Sequence, residues 1–230
     1  MKPLLSESED NHSLQALGRA LVQIVHDLKN QLNGLKLYAT FLRKRLEKGE
    51  RPADELETIN KLIAGINRTA EDLSLLSEYG QPLALRKQGA ADLQKILCGV
   101  VAQLNGDAVA EEADAQPIVI DAGPAPLLGE VDTMLMAEAL KSISIGAAKL
   151  FKGRKKEGSL KVQLSCDSTG SRRNGVIEWH VLDSLDHDPF RSFAGTDEIR
   201  MSLAAKIIEA HGGSADRCNG VLRVRLPLVN

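Results

Sequence analysis

Three side chains that can take part in phosphoryl chemistry lie close together near the start of the chain: His26, Asp27 and Asn30. Apolar residues around them recur in steps of three and four, which predicts one continuous amphipathic helix. They are Leu14, Leu17, Leu21, Ile24, Leu28, Leu32, Leu35, Ala39, Leu42 and Leu46. At about 100° per residue, His26 lies about 200° from Leu28 and therefore projects away from the apolar stripe. A neutral imidazole there can attack a phosphoryl group, while Asp27 holds its tautomer or accepts its proton and Asn30 positions a water.

The alternative is a solvated helix face that carries a histidine without a chemical role. The stretch from His26 to Leu32 reads His-Asp-Leu-Lys-Asn-Gln-Leu. It resembles the phosphoacceptor box of two-component histidine kinases, His-Glu/Asp-x-x-Asn/Thr-x-Leu. The resemblance implies that His26 is phosphorylated, that Asp27 is its acid/base partner, and that Asn30 acts in hydrolysis of the phosphorylated response regulator.

A docking strip follows from helical geometry. Residues spaced by about 3.6 from His26 share its face of the helix. They are Arg19, Val22, Asn30, Asn33 and Leu37. We expect this strip to contact the partner, with Leu37 as an exposed apolar side chain apart from the stripe of Leu35, Ala39 and Leu42.

Composition limits the class of protein. The 230 residues are 43% hydrophobic with a net charge of −2, which favours a folded chain with a buried core and no general attraction to nucleic acid. No apolar run approaches the ~18 residues of a membrane span, and no signal peptide is evident, so we expect a cytoplasmic protein without membrane contact. Cys98, Cys166 and Cys218 lack metal-ligand spacing, which favours buried thiols in a reducing compartment.

Two long helices are predicted in the first third of the chain. Residues 1–12 read as a flexible tail, the first helix runs to about Lys48, and the turn signal Gly49-Glu50-Arg51-Pro52 precedes a second amphipathic helix. An antiparallel hairpin of this kind leaves each apolar stripe partly uncovered, so a second copy is expected to complete a four-helix bundle. The alternative is that the hairpin packs against the second half of the same chain.

The predicted domains are the histidine-bearing dimerisation hairpin at 13–80, a linker at 81–88, and a second domain at 89–230. In the second domain, helices are predicted at 91–104, 132–149 and 201–210. Strands are predicted at 116–120, 160–165, 175–182 and 220–228. Grouped strands with three helices indicate an α+β sandwich.

The end of the second domain carries a further motif. The stretch Lys206 to Gly213, Lys-Ile-Ile-Glu-Ala-His-Gly-Gly, and the closing strand resemble the C-terminal end of the histidine kinase ATP-binding domain. Residues 135–150 resemble the helix that carries the N box, and 181–183 resemble the entry to the first glycine box. The resemblance, from about residue 14 to the C-terminus, implies an all-α hairpin followed by an ATPase-type α+β sandwich.

The nucleotide chemistry of that family does not carry over. Ser142 and Gly146 stand at the two N-box asparagines, of which the second is a magnesium ligand in the family. In the first glycine box Asp183 remains, but Leu185 and His187 replace the glycines. In the second, Glu198 and Arg200 replace glycines whose backbone cradles the phosphates. We therefore expect no bound nucleotide, cofactor or metal.

Three functions remain open at this point. The first is a phosphorelay histidine phosphotransferase, which passes a phosphoryl group between response-regulator aspartates through His26 without ATP. The second is a diverged ATP-dependent histidine kinase. The third is a non-catalytic scaffold that binds response regulators. The grouping of His26, Asp27 and Asn30 favours the first.

Overall fold

The computed structural model describes residues 25, 28–44, 46–47, 53–110, 116–123, 125–152, 158–168, 173–181 and 188–229. The chain divides into two compact units, Met1–Pro82 and Leu83–Asn230.

The described residues of the first unit form two helices. Helix α1 covers residues 28–44 and helix α2 is Ala53–Gly80. Of the stripe predicted for α1, Ala39 is buried at 3% exposure, but Leu35 and Leu42 are 55% and 54% exposed. On α2, Ile66 is buried and Leu62 is exposed. Each helix thus keeps part of its apolar stripe in contact with solvent in the single chain.

The second unit is an α+β domain whose described strands form two sheets. Its helices are α3 (Leu93–Ala110), α4 (Thr133–Lys152) and α5 (Thr196–Ala210), with a 3₁₀ turn at Pro189–Arg191. Its strands are β1 (Gln88–Asp92), β2 (Ile118–Ala122), β3 (Leu128–Val131), β4 (Leu160–Asp167), β5 (Asn174–His180), β6 (Ser214–Cys218) and β7 (Val221–Pro227). β1 pairs with β3, and the larger sheet has the order β2-β4-β5-β7-β6. Only the β2–β4 pair of the larger sheet is parallel among the described strands.

The core of this unit lies between the larger sheet and its helices. Alternate residues of β4 and β7 are buried, which is the pattern of a sheet covered on one face. Helix α4 packs between α3 and α5. Trp179 on β5 is fully buried, and its indole N–H donates to the hydroxyl of Ser144 on α4 at 3.1 Å. This bond satisfies the polar end of the chain's single tryptophan, a requirement for burying it.

The His-Gly-Gly stretch ends α5 and begins β6. The Gly213 amide donates to the carbonyl of Ile208, and the Gly212 amide to that of Glu209. Gly212 has φ +79°, which glycine adopts without a steric penalty. A Cβ at Gly213 would collide with the carbonyl oxygen of Arg225 on β7. Gly212 is therefore explained by its backbone conformation, and Gly213 by the close approach of β7.

The outer edge of β2 is bonded to α3. The Asn105 side chain donates to the carbonyl of Ile118 and accepts from the amide of Ile118, both at 3.0 Å. One side chain thus takes the place of a neighbouring strand at this residue.

The predicted fold class of the second domain agrees with the structure, but three strands were not predicted. β1, β3 and β6 are four or five residues long. Their sequences, such as Ser-Ala-Asp-Arg-Cys for β6, lack the apolar alternation that identifies a strand. The helix predicted at 91–104 is observed as α3, Leu93–Ala110; its first two predicted residues belong to β1.

The expectation about the cysteines is half wrong. Cys98, Cys166 and Cys218 are free thiols, but all three are exposed. Cys98 follows the buried Leu97 on α3 and so points about 100° away from the core. Cys166 and Cys218 lie near the ends of their strands.

No helix in the described ranges is both long enough and apolar enough to cross a membrane.

Candidate functional site

Four of the predicted site residues lie outside the described part of the chain: Arg19, Val22, His26 and Asp27. Asn30, Asn33 and Leu37 are all exposed on α1, and Leu37 is 55% exposed. Their roles stay predictions.

Two further large apolar side chains, Tyr38 and Phe41, are exposed on α1. Phe41 follows Leu37 by four residues, so the two side chains lie about 40° apart around the helix, and Phe41 extends the surface around Leu37. Tyr38 follows Leu35 by three residues and precedes Leu42 by four, so it flanks the apolar stripe instead. Neither residue was predicted as part of a site. The i, i+4 spacing from Leu37 is the signal that identifies Phe41.

The position expected for a magnesium ligand lies where α4 meets α5. Gly146 is buried on α4, and a Cβ placed there would collide with the sulfur of Met201 and lie 3.0 Å from its Cγ. Met201 on α5 is itself only 2% exposed. The Met201 side chain therefore fills the space into which a side chain at 146 would extend. Residue 146 offers no side-chain oxygen, so these residues do not fit the magnesium site that the resemblance places here.

The carboxylate of Glu198 is hydrogen-bonded within the protein. Its carboxylate lies in the first turn of α5 and accepts hydrogen bonds from the Ser192 hydroxyl and from the amide of Ala194, the latter at 3.2 Å. Acidic side chains are favourable at a helix N-terminus because the free amides there carry partial positive charge. The same partial charge is what attracts phosphate in nucleotide-binding proteins. In this chain the protein's own carboxylate supplies the negative charge at that end of α5.

Five other positions were predicted to belong to the degenerate nucleotide site, and the structure describes two of them. Ser142 and Arg200 are half-buried. Asp183, Leu185 and His187 lie outside the described residues.

Lys149 on α4 binds both carboxylate oxygens of Asp197 at 2.6 and 2.8 Å, which joins the end of α4 to the start of α5. No group of three or more His, Cys, Asp or Glu side chains in the described ranges is arranged to hold a metal ion.

His211 of the His-Gly-Gly motif is a buried structural residue. Its Nδ1 lies 2.7 Å from the carbonyl of Ile207, to which it donates, and its Nε2 accepts the amide of Asp132 at 3.0 Å. This pair of bonds selects the tautomer that carries its proton on Nδ1. His211 thereby connects the end of α5 to the residue that precedes α4.

Asp132 caps α4 and holds the segment after α2. Its carboxylate accepts the amide of Arg86 at 2.8 Å and the amides of Met134 and Leu135 at 3.1 and 3.2 Å. The Arg86 bond is the largest cause of a pKa below the usual value for this carboxyl, and the Leu135 bond comes next. Hydrogen bonds of this kind favour the ionised form.

Asp132→Asn is expected to lower the melting temperature near pH 7, because the substitution removes the charge and replaces one carboxylate oxygen with a nitrogen that cannot accept a backbone N–H. Because folding lowers the pKa of Asp132, the ionised carboxylate stabilises the folded state at pH values above the ordinary aspartate pKa. This stabilisation is lost as the pH falls through the folded-state pKa. The difference in melting temperature between Asp132→Asn and the native protein should therefore be largest at neutral pH and become smaller in acid. Thermal unfolding followed by circular dichroism at pH 7, 5 and about 3 measures this. A difference that grows toward low pH would contradict the assignment.

Comparison with solved structures shows that the chain has a histidine kinase-like fold. Full-length ShkA, solved in complex with AMPPNP, superposes with a TM-score of 0.59 at 16% identity, covering 92% of this chain and 46% of that one. The Acinetobacter baumannii histidine kinase AdeS superposes with a TM-score of 0.54 at 16% identity, covering 87% of this chain and 97% of that one. This chain thus spans under half the length of ShkA. No protein-family model and no curated protein matches the sequence.

Proposed function

We propose that the protein is a phosphorelay histidine phosphotransferase, cytoplasmic, that uses His26 and requires no ATP. The observation that carries the proposal is the contact of Met201 with Gly146, since it fills the space in which the kinase resemblance requires a magnesium ligand. Glu198 adds to it, because its carboxylate repels phosphate at the start of α5. The histidine-bearing motif of the hairpin remains complete while the nucleotide site does not.

The proposed reaction exchanges one phosphoryl bond for another. A ring nitrogen of His26 attacks the phosphorus of an aspartyl phosphate on a response regulator. The P–N bond forms as the P–O bond to the aspartate breaks, and the carboxylate leaves with the electron pair. A second regulator's aspartate then takes the group by the reverse step. The role of this protein is to position the imidazole, with Asp27 holding its tautomer.

We further propose that the hairpin works as a homodimer. In the single chain, Leu28, Leu35 and Leu42 are exposed at seven-residue intervals along α1. This is the spacing of helices that pack side by side in a bundle. A second copy would cover these leucines and complete four helices.

A diverged histidine kinase is the second candidate. The observation that favours it is the likeness in fold to ShkA, which was solved in complex with AMPPNP. At 16% identity this likeness concerns the fold alone.

Calorimetry with Mg-ATP separates the two candidates. We expect the protein to show no binding of Mg-ATP below the millimolar range, because residue 146 provides no side-chain oxygen and Glu198 repels the phosphates. Incubation with labelled ATP alone should leave the protein unlabelled, whereas a phosphorylated receiver domain should transfer label to it. A micromolar dissociation constant, or label acquired from ATP alone, would establish the kinase instead.

Leu37 and Leu42 form a matched pair for testing the docking strip. They are 55% and 54% exposed on the same helix, about 140° apart in direction. Leu37→Asp is expected to weaken binding of the receiver domain by ~1–3 kcal/mol and leave the dimer unchanged. Leu42→Asp is expected to dissociate the dimer, because it places a charge within the leucine stripe.

Sedimentation for the dimer and transfer kinetics for the receiver give the two readouts. If Leu37→Asp transfers at the native rate while dimeric, the partner docks on another face. If Leu42→Asp remains dimeric, the stripe is not the dimer interface.

A further inference from the structure

The eight residues before α5 fold back onto the helix that they precede. The Ser202 hydroxyl, on the second turn of α5, donates to the carbonyl of Ser192 at 2.8 Å. Phe190 is buried at 3% exposure beside α5. Asp188 caps the 3₁₀ turn inside the segment, since its carboxylate accepts the amide of Phe190 at 3.0 Å. Residues 188–195 are thus held against α5 through Phe190 and Ser192, and we call them the strap.

The link between the strap and the first turn of α5 is the Glu198 carboxylate. One of its oxygens accepts both the Ser192 hydroxyl and the Ala194 amide, and the Ala194 amide is also 3.4 Å from the Ser192 hydroxyl oxygen. Hydrogen bonds to an ionised acceptor are stronger than neutral ones. The neighbouring Lys149–Asp197 pair is largely exposed and so contributes less to closure.

We propose that the strap is held closed by the protein's own Glu198, which takes the place of an anionic ligand at the N-terminus of α5. The carboxylate and the strap occupy the region where the kinase resemblance places the phosphate-cradling glycines. Met201 fills the adjoining space against Gly146. On this proposal, groups of the protein itself hold the strap against α5, and no nucleotide is needed to order it. This inference concerns the conformation of the second unit and does not depend on phosphotransfer by His26.

The direct test is hydrogen exchange of the whole 230-residue chain, read at the amides of residues 190–195. In the native protein these amides, above all that of Ala194, should exchange slowly, and millimolar Mg-ATP should not change their rates. Glu198→Ala should speed their exchange by about tenfold or more, because the charged acceptor is lost. Glu198→Gln, which keeps an acceptor oxygen, should give a smaller increase.

Glu209→Ala is the matched control, since Glu209 is an exposed glutamate in the last turn of the same helix. It should leave exchange in the strap unchanged. The emission of the buried Trp179 and slow exchange of the Ile208 amide report that each variant is folded. Ser192→Ala, which removes only the bridging hydroxyl, is the second variant and should also speed exchange at Ala194.

Two results would overturn the proposal. One is fast exchange in the native strap that slows only when Mg-ATP is added. The other is native-like exchange in both Glu198→Ala and Ser192→Ala. Because neither result involves phosphorylation, they would overturn the proposal about the strap without bearing on the proposed phosphotransfer by His26.

Discussion

Replacing His26 with alanine is expected to abolish acceptance of a phosphoryl group from a phosphorylated receiver domain. The loss should be at least about 1000-fold, since the variant has no nucleophile with which to form the P–N bond. Fold and dimer should be unchanged, because helical periodicity predicts that His26 lies about 200° from Leu28 and so away from the apolar stripe. Transfer of label between receiver and protein, followed on a gel under conditions that preserve phosphohistidine, measures the effect.

Two controls make this result specific. His26→Gln keeps a polar side chain of similar size and should be equally inactive. His180→Ala removes a half-buried histidine of β5 that has no proposed role, and it should accept label normally. A labelled His26→Ala protein, or one that is monomeric, would show that the phosphoacceptor or the exposed-face argument is wrong.

Gly146→Asn, which introduces the residue that the kinase family carries at this position, is expected to destabilise the protein by about 3 kcal/mol. The new side chain would meet Met201 in a packed helix contact, and overpacking of this kind costs ~1–3 kcal/mol with a buried amide adding to it. Chemical denaturation followed by the emission of Trp179 gives the free energy of unfolding.

Gly99→Asn is the matched control for this substitution. Gly99 lies within α3, and a Cβ there meets no atom within 4 Å. Its replacement should change stability by no more than about 0.5 kcal/mol. Combining Gly146→Asn with Met201→Ala should cost less than the sum of the two single changes by ~1–3 kcal/mol, because the shorter side chain makes room. Equal effects at 146 and 99, or strict additivity, would mean that Met201 does not fill this space.

The parts of the fold that the sequence predicts are those with a strong hydrophobic period. The helix predicted at 132–149 is observed as α4, Thr133–Lys152, because Met136, Leu140 and Ile143 recur on one face. The strand predicted at 220–228 is observed as β7, Val221–Pro227, whose buried and half-buried residues alternate. Short strands such as β6 owe their conformation to pairing with a neighbour, and that is not encoded in local alternation.

For the candidate nucleotide region, the sequence predicts which residues depart from the kinase pattern but not the contacts that they make. The sequence identifies Gly146 and Glu198 as departures from the kinase pattern, but not what takes the place of the missing groups. Gly146 and Met201 are far apart in sequence and meet only when α4 packs on α5. The bond between Glu198 and Ser192 likewise requires the strap to turn back on the helix. The hydrogen bond that the Asp132 amide donates to His211 also joins residues 79 positions apart.

The side chain of Asn105 affects how the folded protein behaves toward other chains. β2 is the outermost strand on its side of the larger sheet, and its Val119 is exposed. An edge strand with free backbone groups and an apolar surface is a template for strand addition and aggregation. Asn105 occupies both the donor and the acceptor of Ile118 at the start of this edge. An incoming strand would have to break both bonds before it could pair there, so Asn105 protects the protein in solution against edge-to-edge association.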